Sequence, residues 1–389
     1  MNVLVSAGEL SGDLYAAHMV RALRARWGDE VRFWGMGGPQ MAAAGVEPVI
    51  SLKSMQIHGV IEVLPHIRRL FRAFRTLIRT AEQRRPSFAL LVDFQDFHLR
   101  LARELHRRGV RVIQMVAPTV WAWRPDRTRT VRDAVDRLLV IFPFEESLWR
   151  EAGVDAHYIG YPLMDIIRVQ MTREALVHRL QVSPDTRIIG LLPGSRPAEV
   201  RRHLPVLLQA IRRLERDWPL YPYIVQAPTV SDTLIDAILR RHGRERMDRI
   251  RDHTKYDWMA NSDLLLVASG TAVMEAALVR APAVVLYRMH PINWWIARRL
   301  VRVPYASMVN LLAGQPIVPE LLQSDCTPER IARVAHTLLQ NAGLRKKMIL
   351  GYLEVIDRLG CLHAFSEGPR VIEEALQQWQ IPVPTASYA

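Results

Sequence analysis

Two turns in the second half of the chain hold the residue types that a nucleoside diphosphate requires. In LLLVASGTAVME, an apolar run starting at Leu264 breaks into Ser269, Gly270, Thr271 and Ala272 and restarts as a helix. The run from Leu264 to Val267 suits a strand buried on both faces, and Gly270 allows a ligand close to the backbone. The new helix presents free N–H groups at its start, for which phosphate oxygens are the natural occupant. Glu275, about one turn in, is placed to accept hydrogen bonds from two adjacent sugar hydroxyls, as acidic residues do for ribose. An ordinary buried strand, turn and helix with a solvated glutamate would read the same way.

Upstream, IIGLLPGSRPAEV repeats the design: a strand from Ile188 to Leu192, then Pro193, Gly194, Ser195 and Arg196, then a helix bearing Glu199. The planar guanidinium of Arg196 matches a diphosphate, and Ser195 with its neighbouring amides adds neutral hydrogen bonds. Such groups stabilise a departing diphosphate without a metal. A surface arginine in a chain full of arginines is the alternative.

In open parallel sheets, ligands bind beyond the carboxyl ends of the strands, so residues just after strands are the candidates in the first half as well. These are Gly8, Glu9, Ser11 and Gly12, then Asp93 and Asp96, then Pro118 to Trp123 with Trp121 among them. GELSGD lacks the third glycine of a dinucleotide fingerprint, so a nicotinamide cofactor is not expected. Asp93 follows the apolar FALLV, which sets its carboxylate at the rim of a crevice between domains, where it could act as a general base. It could equally cap the next helix or pair with an arginine. Asp93 and Asp96 as a metal pair is the weakest reading, because no histidine or further acid is near them in sequence.

The elements that must position these residues alternate between short apolar runs and helical periods. The first half reads as a strand Asn2 to Ser6, a helix from about Leu14 to Trp27, VRFWGMGG, an arginine-rich helix, FALLVDFQDF, a helix to about Arg108, VRVIQMVAP, a helix near Asp126 to Ala134, and RLLVIFPFE. After Gly160 to Pro162 a long helix, IIGLLPGS, YPYIVQAP, a strand near Asp248 to Arg251, LLLVAS and APAVVLYR restart the alternation. This pattern predicts an α/β chain with two parallel-sheet, Rossmann-like domains. The expected boundaries are 1–162, 163–345, and a helical segment with a loose tail at 346–389. At 389 residues the chain is long enough for two cores, and 49% hydrophobic content makes it globular.

Two cysteines, Cys326 and Cys361, offer no disulfide framework or metal-ligand spacing, which points to a reducing compartment. With no leader and no unbroken apolar stretch of about eighteen residues, a cytosolic protein is expected. Fifty-two Lys plus Arg against 39 Asp plus Glu give a formal charge of +13, so partners should be anionic. Residues 66–85 line up Ile67, Leu70, Phe71, Phe74, Leu77 and Ile78 on one helical stripe, bordered by arginines 68, 69, 72, 75 and 79. That pattern fits a helix lying in a membrane interface, and also a helix packing its stripe into the core. The adjacent Trp294 and Trp295, followed by arginines, are a second element suited to the headgroup level.

These residues resemble the lipid-A-disaccharide synthases of Gram-negative outer-membrane biogenesis. The resemblance runs through GELSGD at Gly8 to Asp13, DFQDF at Asp93 to Phe97, VWAWR at Val120 to Arg124, LLPGSRPAEV at Leu191 to Val200, ASGTAVMEA at Ala268 to Ala276, YRM at Tyr287 to Met289 and NLLAGQPIVPELLQ at Asn310 to Gln323. The chain departs from the family pattern at Phe94 and Gln95 (Ala-Pro), His98 (Asn), Tyr161 (His), and Met308 with Val309 (Leu-Pro). The resemblance implies a GT-B fold in which two domains face a cleft, the first binding acceptor and the second UDP. It implies an inverting transfer from UDP-2,3-diacylglucosamine to 2,3-diacylglucosamine 1-phosphate, giving a β-1,6-linked disaccharide phosphate and UDP, with no cofactor.

By the same resemblance Asp93 is the base, and Asn310 positions donor or sugar near the reacting centre. Gly194, Ser195, Arg196, Glu199, Ser269 to Ala272 and Glu275 hold UDP, while Gly8, Glu9, Ser11, Asp96 and Trp121 face the acceptor. Acylated substrates turn the reading of Ile67, Leu70, Phe71 and Phe74 toward membrane contact, with the protein peripheral on the cytoplasmic face of an anionic inner membrane. A homodimer is left open, and nucleic acid is not expected as a partner. A UDP-sugar epimerase or a glycosyltransferase with a soluble acceptor is the rival reading; it would share the UDP half and not need the lipid-facing stripe.

Overall fold

The computed structural model describes residues 1–52, 63–120, 127–290, 294–295, 299 and 303–384. Trp121 and the side chain of Ile67 lie outside the described residues. The chain forms two compact units, Met1–Asp165 with Leu359–Ala389, and Ile166–Arg358.

The first unit is built on seven parallel strands: β1 (Asn2–Ala7), β2 (Arg32–Gly37), β3 (Glu47–Ser51), β4 (Phe88–Val92), β5 (Arg111–Met115), β6 (Arg137–Val140) and β7 (Ala156–Tyr158). Their order across the sheet is β3-β2-β1-β4-β5-β6-β7. The central strands are buried along their whole length because helices cover both faces, and only continuous apolar runs such as FALLV tolerate that environment. The order reverses between β1 and β4, whose ends are in register at Ala7 and Val92. The chain returns to this unit at its end. Helix Ala364–Gln378 is held by Arg26 bonding Glu373 at 2.8 Å, and by buried Arg137, which donates to Asp155, the Val371 carbonyl and Gln378.

The helix after β1 starts at Leu10, earlier than the expected Leu14. Ser11 and Gly12, read as loop, form its first turn. Gly12 lets that turn press on the end of β4, since a methyl there would stand 3.0 Å from the Val92 carbonyl oxygen.

The second unit has six parallel strands: β8 (Arg187–Leu192), β9 (Leu220–Val225), β10 (Arg249–Ile250), β11 (Leu264–Ala268), β12 (Ala283–Tyr287) and β13 (Glu320–Leu322), in the order β10-β9-β8-β11-β12-β13. Here the reversal falls between β8 and β11, paired from Leu264 with Ile189 to Val267 with Leu192. Helix Pro197–Leu214 packs on this sheet through Val200, Leu204, Leu207, Ile211 and Leu214, a stripe at three- and four-residue spacing.

Candidate active site

In the second unit the two predicted turns are neighbours, because they leave adjacent strands at the point where strand order reverses. This is where open α/β sheets bind ligands. After β8, Gly194 takes a left-handed φ of 118°, and a Cβ on it would stand 2.5 Å from the Glu199 carboxylate. Both facts demand glycine there. After β11, Gly270 opens helix Thr271–Leu278 at φ 154°, ψ −160°, and nothing stands within 4 Å of the position a Cβ would take. The first N–H groups of that helix have no partner within the helix.

Glu199 does something its sequence position did not announce. Its Oε2 accepts the N–H groups of Ser195 at 3.1 Å and Arg196 at 3.2 Å, two amides expected to meet phosphate. Reaching back over the first turn, it fixes the shape of the loop as an acidic residue at this helix position commonly does. The Arg196 side chain is 61% exposed, with Nη1 3.7 Å from Glu199 Oε1, so the loop still presents a guanidinium to solvent. The Thr229 hydroxyl donates to the Ser195 carbonyl and braces the loop from the far side.

Glu275 is buried, and its Oε1 accepts from Lys255 Nζ at 2.8 Å and the Tyr256 hydroxyl at 3.1 Å. Both bonds land on one oxygen. Lys255 and Tyr256 open helix Lys255–Ala260, and sequence reasoning passed them over because nothing in TKYDW marks a partner twenty residues on. His203 was missed as well. It stands on the buried stripe of helix Pro197–Leu214, where Nδ1 bonds the Pro193 carbonyl at 2.8 Å and Nε2 accepts the Arg288 N–H at 3.0 Å. These partners fix the neutral Nδ1–H tautomer, and burial lowers the basicity of the ring. His203 thereby ties the turn after β8 to the end of β12.

Asn310 is 1% exposed, and its amide is fully committed. Nδ2 donates to the Val318 carbonyl at 2.9 Å and Glu320 at 2.8 Å, and Oδ1 accepts from Ile317 and Val318 at 2.7 and 2.9 Å. Glu320 also accepts the N–H groups of Ala306 and Ser307, and Ser269 Oγ donates to the Ala306 carbonyl at 3.1 Å. One chain of hydrogen bonds therefore runs from β13 through Asn310 and Ser307 to the turn after β11. Asn310 sits within that scaffold and does not face solvent.

The first unit repeats the arrangement. Gly8, Glu9 and Ser11 follow β1 while Asp93 follows β4, and Ser11 Oγ donates to Asp93 Oδ2 at 3.2 Å. Asp93 and Phe94 both take left-handed φ values, 57° and 55°, and the Phe94 N–H donates to Asp93 Oδ1 at 2.8 Å. Consecutive non-glycine residues in this conformation are costly and need surrounding structure to hold them. Asp96 is exposed in the first turn of helix Gln95–His106. Among the described residues no group of three His, Cys, Asp or Glu side chains could hold a metal, so Asp93 and Asp96 have no third ligand there. Asp13, the last residue of GELSGD, is buried and accepts the N–H groups of Gly38, Gln40 and Met41 at 2.7–3.1 Å, capping the short helix after β2.

The family model for lipid-A-disaccharide synthetase matches residues 3–361. The lipid-A-disaccharide synthase of Solibacter usitatus is 42% identical over 376 residues, covering 96% of this chain and 97% of its own, and that of Myxococcus xanthus is 42% identical over 375 residues with the same coverage. The chain belongs to the lipid-A-disaccharide synthase family. Among solved structures, S. aureus MnaA with UDP aligns at a TM-score of 0.65 and 13% identity over 99% of both chains, a likeness that shows the fold alone. The fold is GT-B, with two parallel-sheet α/β domains. The rival readings as an epimerase or a soluble-acceptor transferase give way to the family.

Within this synthase family, three of the positions at which the chain departs from the expected pattern, His98, Tyr161 and Val309, are buried, whereas Phe94, Gln95 and Met308 are partly exposed. His98 is wholly buried; Nε2 lies 2.9 Å from Ser6 Oγ and Nδ1 2.5 Å from the Asp93 carbonyl, which ties β1 to the Asp93 turn. Tyr161 is buried and stacks on Phe142 with ring centroids 5.4 Å apart, and Val309 is fully buried. The apolar stripe of helix Val63–Arg84 divides along its length. Ala73, Leu77 and Ile78 are buried, Leu70 and Phe74 are half-buried against the core, and Phe71 is 55% exposed with the Arg75 guanidinium 4.3 Å from its ring centroid.

Proposed function

We propose that the two switch points divide the reaction of this glycosyltransferase between them, the first unit activating the acceptor and the second holding the donor. The reaction joins UDP-2,3-diacylglucosamine to 2,3-diacylglucosamine 1-phosphate and yields the β-1,6-linked disaccharide 1-phosphate and UDP. A β linkage from an α-linked donor is inversion, so one in-line displacement suffices. The acceptor oxygen bonds to the anomeric carbon, the bond to the UDP phosphate oxygen breaks, and the hydroxyl proton passes to Asp93. The observation that supports this most is the convergence of Gly194, Ser195, Arg196, Ser269, Gly270, Thr271, Ala272 and Glu275 on the ends of β8 and β11.

In this reading Arg196 and the open first turn of helix Thr271–Leu278 stabilise the charge that develops on departing UDP. Glu275 presents Oε2 to the ribose while Lys255 and Tyr256 hold Oε1. Glu199 and Asn310 act as positioning residues, one shaping the turn after β8 and the other bracing the turn after β11. Gly8, Glu9 and Ser11 line the acceptor side, and Ser11 orients the Asp93 carboxylate. No helix among the described residues is long and apolar enough to cross a membrane. Membrane contact is peripheral in this proposal, made on the cytoplasmic face of the anionic inner membrane by exposed Phe71 among the exposed arginines 68, 69, 72, 75 and 79. Exposed Leu344, Leu350 and Leu353 on helix Ala342–Arg358 leave room for a homodimer.

The test is Asp93→Asn, assayed with both acylated substrates and mass spectrometry of the lipid product. Turnover should fall roughly a hundredfold or more, the scale of general-base catalysis, while UDP affinity by calorimetry stays at the wild-type value. Turnover within a few fold of wild type would move the base elsewhere.

A further inference from the structure

Helix Ala342–Arg358 of the second unit has two apolar faces where a surface helix needs one. Its inner face is Met348, Gly351, Tyr352 and Val355, all buried. Met348 Sδ meets the Ala283 N–H at 3.2 Å, and a Cβ on Gly351 would stand 2.4 Å from the Ile317 side chain, so this face is seated closely and the helix cannot roll. At 100° per residue the side diametrically opposite carries Lys346, Leu350, Leu353 and Asp357, spaced four, three and four apart. Leu350 is 51% exposed and Leu353 37%, and the charged residues at both ends are exposed. Exposed Lys347 and Glu354 run along one edge of this seam, and half-buried Ile349 and Ile356 along the other.

We propose that this outer face is the contact with a second copy of the chain, made by two such helices packed antiparallel about a twofold axis. The inference rests on the homodimer reading above and adds to it the surface, the direction and the pairing. A spacing of four, three and four is the seam of a two-helix coiled coil. A twofold contact must also be self-complementary, because each patch meets its own copy. Antiparallel pairing about the middle of the seam sets Leu350 against the partner's Leu353, Lys346 against the partner's Asp357, Lys347 against the partner's Glu354, and Ile349 against the partner's Ile356. Every lysine then faces an acid and every apolar side chain an apolar one. Parallel pairing would face Lys346 with its own copy and Asp357 with its own copy, which is repulsive at both ends. An anionic lipid surface fits less well, since Glu354 and Asp357 would be driven against its charge. From Lys346 to Asp357 the seam is about 16 Å long. A contact of that length buries less than the roughly 1,200 Å² of a lasting complex, so the dimer is reversible and forms as concentration rises.

The test is sedimentation velocity of the full chain from about 1 to about 100 µM, with melting temperature measured alongside. The wild type should shift from monomer toward dimer across that range. Leu350→Ala keeps a good helix former and truncates the seam in both copies, so it should weaken association about thirtyfold or more, the scale of an interface anchor, at an unchanged melting temperature. An acidic variant, Lys346→Glu with Lys347→Glu, and a basic variant, Glu354→Lys with Asp357→Lys, supply the decisive comparison. Each alone sets like charges against each other and should self-associate at least about tenfold more weakly than the wild type. Mixed in equal amounts they face opposite charges at every position and should form a heterodimer of wild-type strength. A wild type that stays monomeric throughout refutes the homodimer reading and this inference together. A wild-type dimer that survives Leu350→Ala, or acidic and basic variants that do not pair on mixing, overturns the inference and leaves a homodimer made through another surface. Loss of binding to anionic vesicles by Leu350→Ala with no change in association also overturns it, since the face would then belong to lipid.

Discussion

Acid should weaken the first unit, and most strongly through His98. Burial pushes His98 down to about 4 from its ordinary 6.5, because an imidazolium would have no water around it. The ring is therefore neutral in the folded protein, donating Nδ1–H to the Asp93 carbonyl and accepting at Nε2 from the Ser6 hydroxyl. The unfolded chain takes up its proton as pH falls through 6.5. The folded chain resists until about 4, so the unfolded state binds more protons across that interval and stability must decline as pH falls. The contribution is complete above pH 6.5 and lost on the way down to 4. At about 1.4 kcal/mol per pH unit, the loss from His98 is about 2 kcal/mol between pH 7 and pH 5 and on the order of 3 by pH 4.

His203 and His18 are also held below their ordinary value by burial and push in the same direction, so the wild type alone cannot assign the effect. His98→Asn removes the titrating group and retains one donor and one acceptor. Urea unfolding of both proteins at several pH values, read by deuterium exchange in peptides of β1 and β4, assigns the transition to this unit. The stability difference between wild type and variant should shrink by about 2 kcal/mol from pH 7 to pH 5. A difference constant to within about 0.5 kcal/mol, the usual limit of additivity, would refute the assignment of a buried neutral His98.

Three further outcomes follow from the same geometry. Glu275→Gln and Arg196→Ala should each weaken UDP binding by about tenfold to a hundredfold in calorimetric titration, the loss of one charge-assisted hydrogen bond. Lys255→Met should weaken UDP less than Glu275→Gln does, because it removes only a group that holds the carboxylate; equal or greater loss would make Lys255 the direct contact. The stripe of helix Val63–Arg84 should split. Leu77→Ala, at a fully buried site, should cost about 2–5 kcal/mol of stability, whereas Phe71→Ser should stay within about 0.5 kcal/mol yet release the protein from anionic vesicles in sedimentation.

Much of the fold was legible because its central strands have one physical requirement. A strand buried on both faces must be an apolar run, so FALLV, IIGLL and LLLVA announce themselves, and the residue after each run marks the ligand edge. That logic places Asp93, Arg196 and Gly270 just beyond the ends of β4, β8 and β11. The edge strands β3, β7 and β13 were not in the expected strand set, since three to five residues of mixed polarity carry no period long enough to read. The start of the first helix was misplaced for a related reason. Glycine and serine signal a loop locally, and only the contact of Gly12 with the end of β4 explains why they are helical.

The limits at the site have a different cause. Sequence spacing shows which groups stand at the edge of a sheet, and it does not show which of them are already satisfied. Glu199 read as one more polar group beside the diphosphate, yet its carboxylate takes two loop amides that a phosphate could have used. Asn310 read as a residue close to chemistry, and all of its amide valences are spent on Val318, Ile317 and Glu320. The same accounting raises Lys255 and His203, which lie far in sequence from the groups they hold. A donor turn built of glycine and short side chains has little rigidity of its own. Its backbone is held by partly buried Glu199 and Glu320 and by buried Asn310 and His203, which spend their oxygens and nitrogens on the loops.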